Sequence, residues 1–286
     1  MRFIDNSKFG PPANWAAKVI AANKIYLATG VFNGVWKDLA SELNALVRSD
    51  NQRKCWYSEI VVLGADIDVD HFRPKSNCKG LSKLFADLET TIWAQIDQTD
   101  RLGYPFLAFD WTNFRLANQH TNQGRKDGSF TKGKQDFFPL KLASPIAAKL
   151  ADLGNEEICL LDPCEKSDAE LLIFSNDGKV DASYPNTTWD YCRAKVTVEV
   201  YHLNFNLRGL VDARLLKWNE CSREIEFLMK LYPTKRIDLI QEQQQKIMYM
   251  AKKEAEFSAV VIDCIRHYAG NDAYFYIRPL ATKLVK

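Results

Sequence analysis

The sequence predicts an α+β fold in which helices predominate, and three observations support this class. Residues 14–47 and most of the chain beyond about residue 150 place apolar side chains at the 3.6-residue spacing of helices. Residues 60–71 change to the two-residue spacing of strands. Of the 286 residues, 47% are hydrophobic and 26% are charged, which is enough apolar content for a sizeable core.

These patterns divide the chain into three predicted regions. A helical N-terminal arm covers residues 1–53, a mixed core covers residues 54–150, and a mostly helical region covers residues 151–286. No internal repeat or low-complexity tract marks a further boundary.

Helical patterns dominate the two outer regions. In the arm, Asn14 is placed to cap a helix, and Gly30 and Gly34 predict a division into two helices. In the C-terminal region, residues 239–269 give the clearest helical pattern, which a glycine ends. Residues 196–200 are β-branched, but the helical pattern around them favours a helix there as well.

The mixed core is expected to begin with a hairpin. Residues 60–63 form a short β-rich run, Gly64 can turn, and residues 67–71 alternate aspartate with apolar residues. Two helices should follow, over residues 80–98 and residues 116–126. The second strand of the hairpin therefore carries its aspartates on one face.

Composition excludes several classes of protein. A net charge of +2 and a pI near 8.1 do not indicate a nucleic-acid binder, so any basic surface must be local. Seven cysteines, an odd number without a C-x-x-C pair, indicate a reduced and therefore cytoplasmic protein. Neither a signal peptide nor an apolar run long enough to span a membrane is visible.

Three polar segments carry the residues that phosphodiester hydrolysis requires. Such a reaction needs a base for the attacking water and a positive charge for the phosphate. His71, at the end of a strand, can accept the water proton at neutral pH. Asp70 and Asn122 offer oxygen ligands to one Mg²⁺ or Mn²⁺ ion. Lys126, four residues after Asn122, would share a helix face with it and could contact a phosphate.

These residues, in this order, resemble the HNH nuclease pattern. The likeness extends to the PtuB family, the HNH component of Septu-type and retron-associated anti-phage systems, over roughly residues 54–215. The blocks that carry it are KCWYSE, DVDHFRPK, YPFLAFDWTNFRLANQHTNQGRK, GKQDFFPL and LLDPC, and the similarity ends in YHLNFNLRGLVDAR.

The resemblance implies a ββα-metal core and a role for each matching residue. His71 would be the general base, and Asp70 and Asn122 would be the metal ligands. Asn113 is the central Asn of the pattern, which mainly fixes the loop that holds the base. The resemblance also implies anti-phage defence together with a PtuA-like ATPase.

One departure from the family concerns zinc. Many relatives carry C-x-x-C before the Asp-His pair and again before the metal-binding Asn. The matching positions here are Cys55 and Ser58, then Asn118 and Thr121, so a single thiol remains. A structural zinc site needs four nitrogen or sulfur ligands. We therefore expect no structural zinc.

Basic residues near the Asp-His pair form a candidate phosphate-binding surface, and the substrate is either DNA or RNA. Arg73, Lys75, Arg125 and Lys126 are assigned to nucleic-acid binding. The wider basic stretch adds three further residues, namely Arg115, Lys132 and Lys134.

Two other functions stay open. A degenerate HNH scaffold would bind a partner or nucleic acid without cutting, and the lost cysteines favour it. A different metal hydrolase would use the carboxylates of Asp66, Asp68 and Asp70 and would not depend on Asn122.

Overall fold

A computed structural model describes residues 1–8, 10–50, 52–64, 66–82, 88–127, 130–206 and 209–284. The α-helices are α1 (Trp15–Thr29), α2 (Ala40–Ala45), α3 (Thr90–Trp93), α4 (Gln119–Asn122), α5 (Lys166–Ala169), α6 (Trp189–Val200), α7 (Leu210–Leu231), α8 (Ile237–Met250), α9 (Ser258–Ala269) and α10 (Arg278–Ala281). Short 3₁₀ helices cover Asn6–Lys8, Val35–Leu39, Pro105–Leu107, Trp111–Asn113, Leu150–Asn155, Tyr232–Thr234 and Asp272–Ile277. No helix among these residues is long and apolar enough to cross a membrane.

The strands pair two by two in antiparallel ladders. They are β1 (Arg53–Lys54), β2 (Val61–Val62), β3 (Ile67–His71), β4 (Asn77–Cys78), β5 (Arg101–Leu102), β6 (Phe114–Asn118), β7 (Arg125–Asp127), β8 (Phe130–Lys132), β9 (Leu172–Phe174) and β10 (Val180–Ala182). The longest ladder, which we call the central ladder, joins β3 to β6 and runs from Ile67 opposite Asn118 to His71 opposite Phe114. Helices and small sheets together confirm the α+β class.

The expected hairpin between residues 60–63 and 67–71 is wrong. Strand β2 pairs with β1, and β3 pairs with β6 instead. An alternating pattern defines which face of a strand is buried, but it does not identify the partner strand. Residue 65, part of the expected turn, lies outside the described residues.

The expected helix over residues 116–126 is also wrong. All five residues of β6 are buried, which suits a strand covered on both faces. Asn118 accepts a hydrogen bond from the Thr121 amide and begins α4, which ends at Asn122. Because the chain then enters β7, Asn122 and Lys126 do not share a helix. The Lys126 side chain lies outside what the structure describes.

Predictions for the other helices are confirmed to different degrees. The arm divides at Gly30, which has a φ of 68°, and residues 196–200 lie in α6. Of the helix expected over residues 80–98, the described part forms only α3, and residues 83–87 lie outside the described residues. The helix expected over residues 239–269 is interrupted between α8 and α9, where Phe257 has a positive φ.

Two clusters of buried apolar side chains enclose the central ladder. The arm cluster joins Trp15, Trp36 and Leu43 of the arm to Ile67 and Phe114 of the ladder. The main cluster combines side chains from the segment before residue 150 with helices α6 to α10. The arm therefore packs directly on the strand that ends in His71. The predicted boundaries at residues 54 and 151 stay predictions.

Candidate active site

An open cavity of about 880 Å³ lies beside the central ladder. Its lining includes Asp70, His71 and Lys75 from one sequence motif and Asn122 from another. The arm contributes to the wall of the cavity with Trp36 and neighbouring residues. This cavity is the candidate active site.

Strand β3 presents its two candidate functional residues in opposite directions, as side chains alternate along a strand. Asp70 contacts Tyr57, which belongs to the main cluster. His71 packs edge-on against Trp36 and Phe114 of the arm cluster, with ring centroids 4.6 and 5.1 Å away.

Burial keeps the His71 imidazole neutral. Its Nε2 lies 2.9 Å from the carbonyl oxygen of Ala108, and a carbonyl can only accept, so we assign the ring proton to Nε2. The lone pair then resides on Nδ1. Burial, with a contribution from the charge of Lys75, lowers the pKa of His71 to about 3. A neutral, oriented imidazole is free to accept a proton, but a pKa this far below neutrality makes it a weak base.

We expect His71 to make the stability of the fold depend on pH. In the unfolded chain a histidine has a pKa near 6.5, whereas the pKa of His71 in the folded protein is about 3. Between these values the unfolded state binds more protons. The contribution of His71 to the free energy of unfolding is therefore fully present above about pH 6.5. It decreases on acidification, by at most about 1.4 kcal/mol per pH unit. Denaturant titrations of wild type and His71→Gln over this range should give a stability difference that shrinks as pH decreases. A constant difference would contradict the expectation.

Lys134 contacts Asp70 inside the protein. The Lys134 side chain is buried, and its Nζ lies 2.6 Å from Asp70 Oδ1 and also contacts the carbonyl oxygen of His71. Tyr57 donates its hydroxyl proton to Asp70 Oδ2 over 2.8 Å. Burial raises the pKa of the Asp70 carboxyl, and Lys134 and Tyr57 oppose that rise. The expectation that Lys134 belongs to a basic surface is therefore wrong.

Asn113 joins the loop after His71 to the 3₁₀ helix that ends at Leu107. Its Oδ1 accepts from the Arg73 amide at 2.9 Å, and its Nδ2 donates to the carbonyl oxygens of Arg73 and Leu107 at 3.0 and 3.3 Å. Its own carbonyl accepts from the Phe72 amide at 2.8 Å. These are the contacts of a residue that fixes the loop after His71, and any further part in catalysis stays a prediction.

Asn122 lies at the end of α4, opposite the aspartates of β3. Its Nδ2 donates to Asp68 Oδ2 at 2.9 Å, and Gln123 Nε2 donates to the same oxygen at 3.1 Å. The carboxylates of Asp68 and Asp70 and the carboxamide of Asn122 all line the cavity.

The donor set fits a hard cation of the Mg²⁺ type. Such a cation takes oxygen ligands and keeps several waters, so a few protein ligands suffice. Among the described residues, no group of three or more His, Cys, Asp or Glu side chains could hold a metal ion. The ammonium of Lys134 already occupies part of the coordination space of Asp70, so cation binding there would occur beside a fixed positive charge.

Most of the basic residues proposed to bind phosphate have partners within the protein. Arg115 is buried and forms a bidentate pair with Asp162, and Arg73 pairs with Glu156 at 3.2 Å. Lys132 pairs with Glu199 at 2.7 Å, and Arg125 donates to Gln119. Lys75, by contrast, lines the cavity, with its Nζ 4.7 Å from the centroid of the Trp36 ring.

Two cationic residues of the cavity were missed by sequence reasoning. Lys37 and Arg53 come from the arm and line the wall beside Trp36. No spacing rule connects either position with His71, because the arm reaches the cavity only through its packing against the central ladder. Their nearness to a strand that carries an Asp-His pair was not visible in the sequence.

The four positions at which the resemblance implies zinc cysteines converge in space. Cys55 Sγ lies 3.6 Å from Thr121 Oγ1 and accepts from the Ser58 amide at 3.4 Å. Asn118 Nδ2 donates to Ser58 Oγ at 3.1 Å, and Asn118 Oδ1 accepts from the Thr121 amide at 2.8 Å. We call this hydrogen-bonded group the polar quartet.

Comparison with known proteins gave one relative among curated proteins. The chain is 28% identical over 131 residues to "Septu protein PtuB" from Bacillus mycoides (strain KBAB4), a stretch that covers 45% of this chain and 37% of that protein. No family model matches the chain, and no solved structure matches it. The resemblance to the PtuB family that the sequence motifs indicated is thus confirmed by similarity to a curated PtuB protein.

Proposed function

We propose that this protein is a metal-dependent HNH-type endonuclease that hydrolyses phosphodiester bonds in nucleic acid. One observation carries the proposal: a neutral imidazole, His71, lines the same cavity as the oxygen donors Asp70 and Asn122. These residues come from segments about 50 positions apart, and their order matches the motif that suggested the chemistry.

The chain's own residues divide the work of the proposed reaction. His71 Nδ1 accepts the proton of the attacking water, while the carbonyl oxygen of Ala108 accepts a hydrogen bond from His71 Nε2. Asn113 fixes the loop that follows His71. Asp70 and Asn122 would hold a Mg²⁺ or Mn²⁺ ion, which supplies positive charge for the phosphate and the leaving oxygen.

The biological setting is proposed from the relative. The name Septu protein PtuB supports a component of a Septu-type anti-phage defence system. We further propose that the protein acts in the cytoplasm together with a PtuA-like ATPase. Because the match covers only 37% of the relative, activity, substrate and partner are proposals for this chain.

Cutting assays test the enzymatic proposal. Purified protein, with and without its ATPase, is incubated with plasmid DNA or tRNA in Mg²⁺ or Mn²⁺. We expect cutting that EDTA abolishes and that His71→Ala lowers by about 10²- to 10⁴-fold, the usual contribution of a general base. His267→Ala removes an exposed histidine outside the cavity and should cut like wild type. Equal cutting by His71→Ala and wild type would refute the assignment.

A non-cutting scaffold is the second candidate. The contact between Lys134 and Asp70 favours it, since it places an ammonium on a proposed metal ligand. The same assays decide between the two. A wild-type protein that binds nucleic acid but cuts neither substrate, even with the ATPase present, would support the scaffold.

A further inference from the structure

We propose that Lys37, Arg53 and Lys75 bind the phosphate backbone of the nucleic acid, so that the N-terminal arm supplies part of the substrate site. We call these three residues the cationic rim. The inference rests on the proposed function, because it places the scissile strand in the same cavity, but it concerns binding and can be tested without cutting.

The first argument is that the rim lacks internal ion pairs. Lys37, Arg53 and Lys75 are the Lys and Arg side chains in the described lining of the cavity, and none of them forms an ion pair within the described part of the chain. Four of the basic residues that the sequence suggested as phosphate ligands outside the rim do form ion pairs. Arg73, for example, is held by Glu156.

The second argument is the incomplete solvation of Lys75. Burial lowers the pKa of this half-buried side chain, so its charged form lacks part of the hydration that an exposed lysine has. Two nearby carboxylates, Asp136 and Asp70, oppose the shift without cancelling it, and two neighbouring lysines add to it. A bound anion would stabilise such an ammonium, whereas a fully solvated lysine on an open surface gains much less from one.

The third argument is the arrangement of charge in the cavity. The cationic rim comes from the arm and from the loop after β3. The lining also holds four aspartates, Asp66, Asp68, Asp70 and Asp136, of which Asp68 and Asp70 belong to β3 itself. A phosphodiester strand carries repeated negative charge, which several cations in one cavity can neutralise. An isolated small anion would need only one of them. The chemistry of the rim therefore fits a nucleic-acid backbone, and backbone contacts imply no preference for sequence.

Binding is measured with protein that carries His71→Ala, to prevent cutting, in Mg²⁺. Fluorescein-labelled single-stranded DNA, single-stranded RNA and duplex DNA are titrated by fluorescence anisotropy at several salt concentrations. Lys37→Glu/Arg53→Glu is compared with Lys24→Glu/Lys230→Glu. The control makes the same charge change at two exposed positions outside the cavity, one of them in the arm.

We expect the rim variant to bind at least about ten-fold more weakly than the control variant. The slope of log affinity against log salt should decrease by about 0.7 to 0.9 for each phosphate that the variant no longer neutralises. Lys37→Glu alone changes an exposed position and should give part of the loss of affinity and part of the decrease in salt slope. This single variant remains informative if the Arg53 change disturbs β1. Thermal melting of each variant checks that the fold is intact.

Three results would overturn the inference: no binding of any nucleic acid by the His71→Ala protein, equal weakening in the rim and control variants, or equal competition by a poly-glutamate peptide of matched charge. The last result would point to an acidic protein partner. The two proposals can fail separately. If the protein cuts nucleic acid and substitutions in the rim do not change cutting, only the inference about the rim is refuted. If binding depends on the rim but the wild-type protein does not cut, only the enzymatic proposal is refuted.

Discussion

Replacement of Lys134 by methionine is expected to destabilise the protein by about 3 to 5 kcal/mol, the usual cost of removing one partner of a buried ion pair. The Lys134 ammonium is 0% exposed, lies 2.6 Å from Asp70 Oδ1 and also contacts the carbonyl oxygen of His71. Methionine keeps most of the length of the side chain but leaves a carboxylate buried without its cation. Denaturant titration measures the change. Lys217→Met, which removes a partly exposed pair with Glu220, should cost less than about 1 kcal/mol.

The same substitution should lower cutting by about 100-fold or more if the proposed function is right, because Lys134 positions both catalytic strand residues. A double variant separates this effect from simple unfolding. Lys134→Met/Asp70→Asn carries neither buried charge, so it should be more stable than Lys134→Met alone, although it lacks the proposed ligand. If Lys134→Met proved as stable as wild type, or if the second change destabilised it further, the buried pair would not have the importance assigned to it.

Lys134 also shows which part of the site the sequence could reveal. The Asp70-His71 pair, Asn113 and Asn122 were proposed as site residues because the reaction needs those groups and a motif orders them. Lys134 was assigned to a basic surface, because composition shows how many charges a segment holds and not where their partners lie. Its pairing with Asp70, 64 positions earlier, depends on the tertiary fold alone.

The fold was predictable to a similar extent. Alternation identified β3 and its two faces, and glycine identified the break at Gly30. The partner of β3 was missed because β6 begins 43 residues after β3 ends, and nothing local encodes a pairing over that distance. The helix expected across β6 failed because a fully buried strand and a buried helical segment are both continuous apolar runs.

Restoring cysteines at the four positions of the polar quartet is expected to create a zinc site. A chain with Ser58→Cys, Asn118→Cys and Thr121→Cys keeps the native Cys55 and so carries four thiols where the polar quartet now lies. Because the native side chains already form two contacts, Ser58 with Asn118 and Cys55 with Thr121, we expect the variant to bind one Zn²⁺ per chain in tetrahedral thiolate coordination. Structural zinc sites contribute about 10 to 16 kcal/mol of binding free energy in small peptides, so melting should shift upward clearly when zinc is added.

Cobalt provides the direct measurement, because Co²⁺ in tetrahedral thiolate coordination absorbs strongly in the visible range. Added Zn²⁺ should displace the Co²⁺ and remove this absorbance. The matched control adds Cys55→Ser to the triple variant, which leaves three thiols and should bind the metal far more weakly. Absence of the cobalt spectrum in the four-thiol variant would mean that the quartet does not preserve the geometry of a zinc site. A spectrum that depends on Cys55 would show that the turn after β1, strand β6 and helix α4 meet closely enough for four thiolates to bind one metal ion. The hydrogen bonds of the quartet would then be sufficient to hold α4, which ends at Asn122, beside the central ladder without a metal.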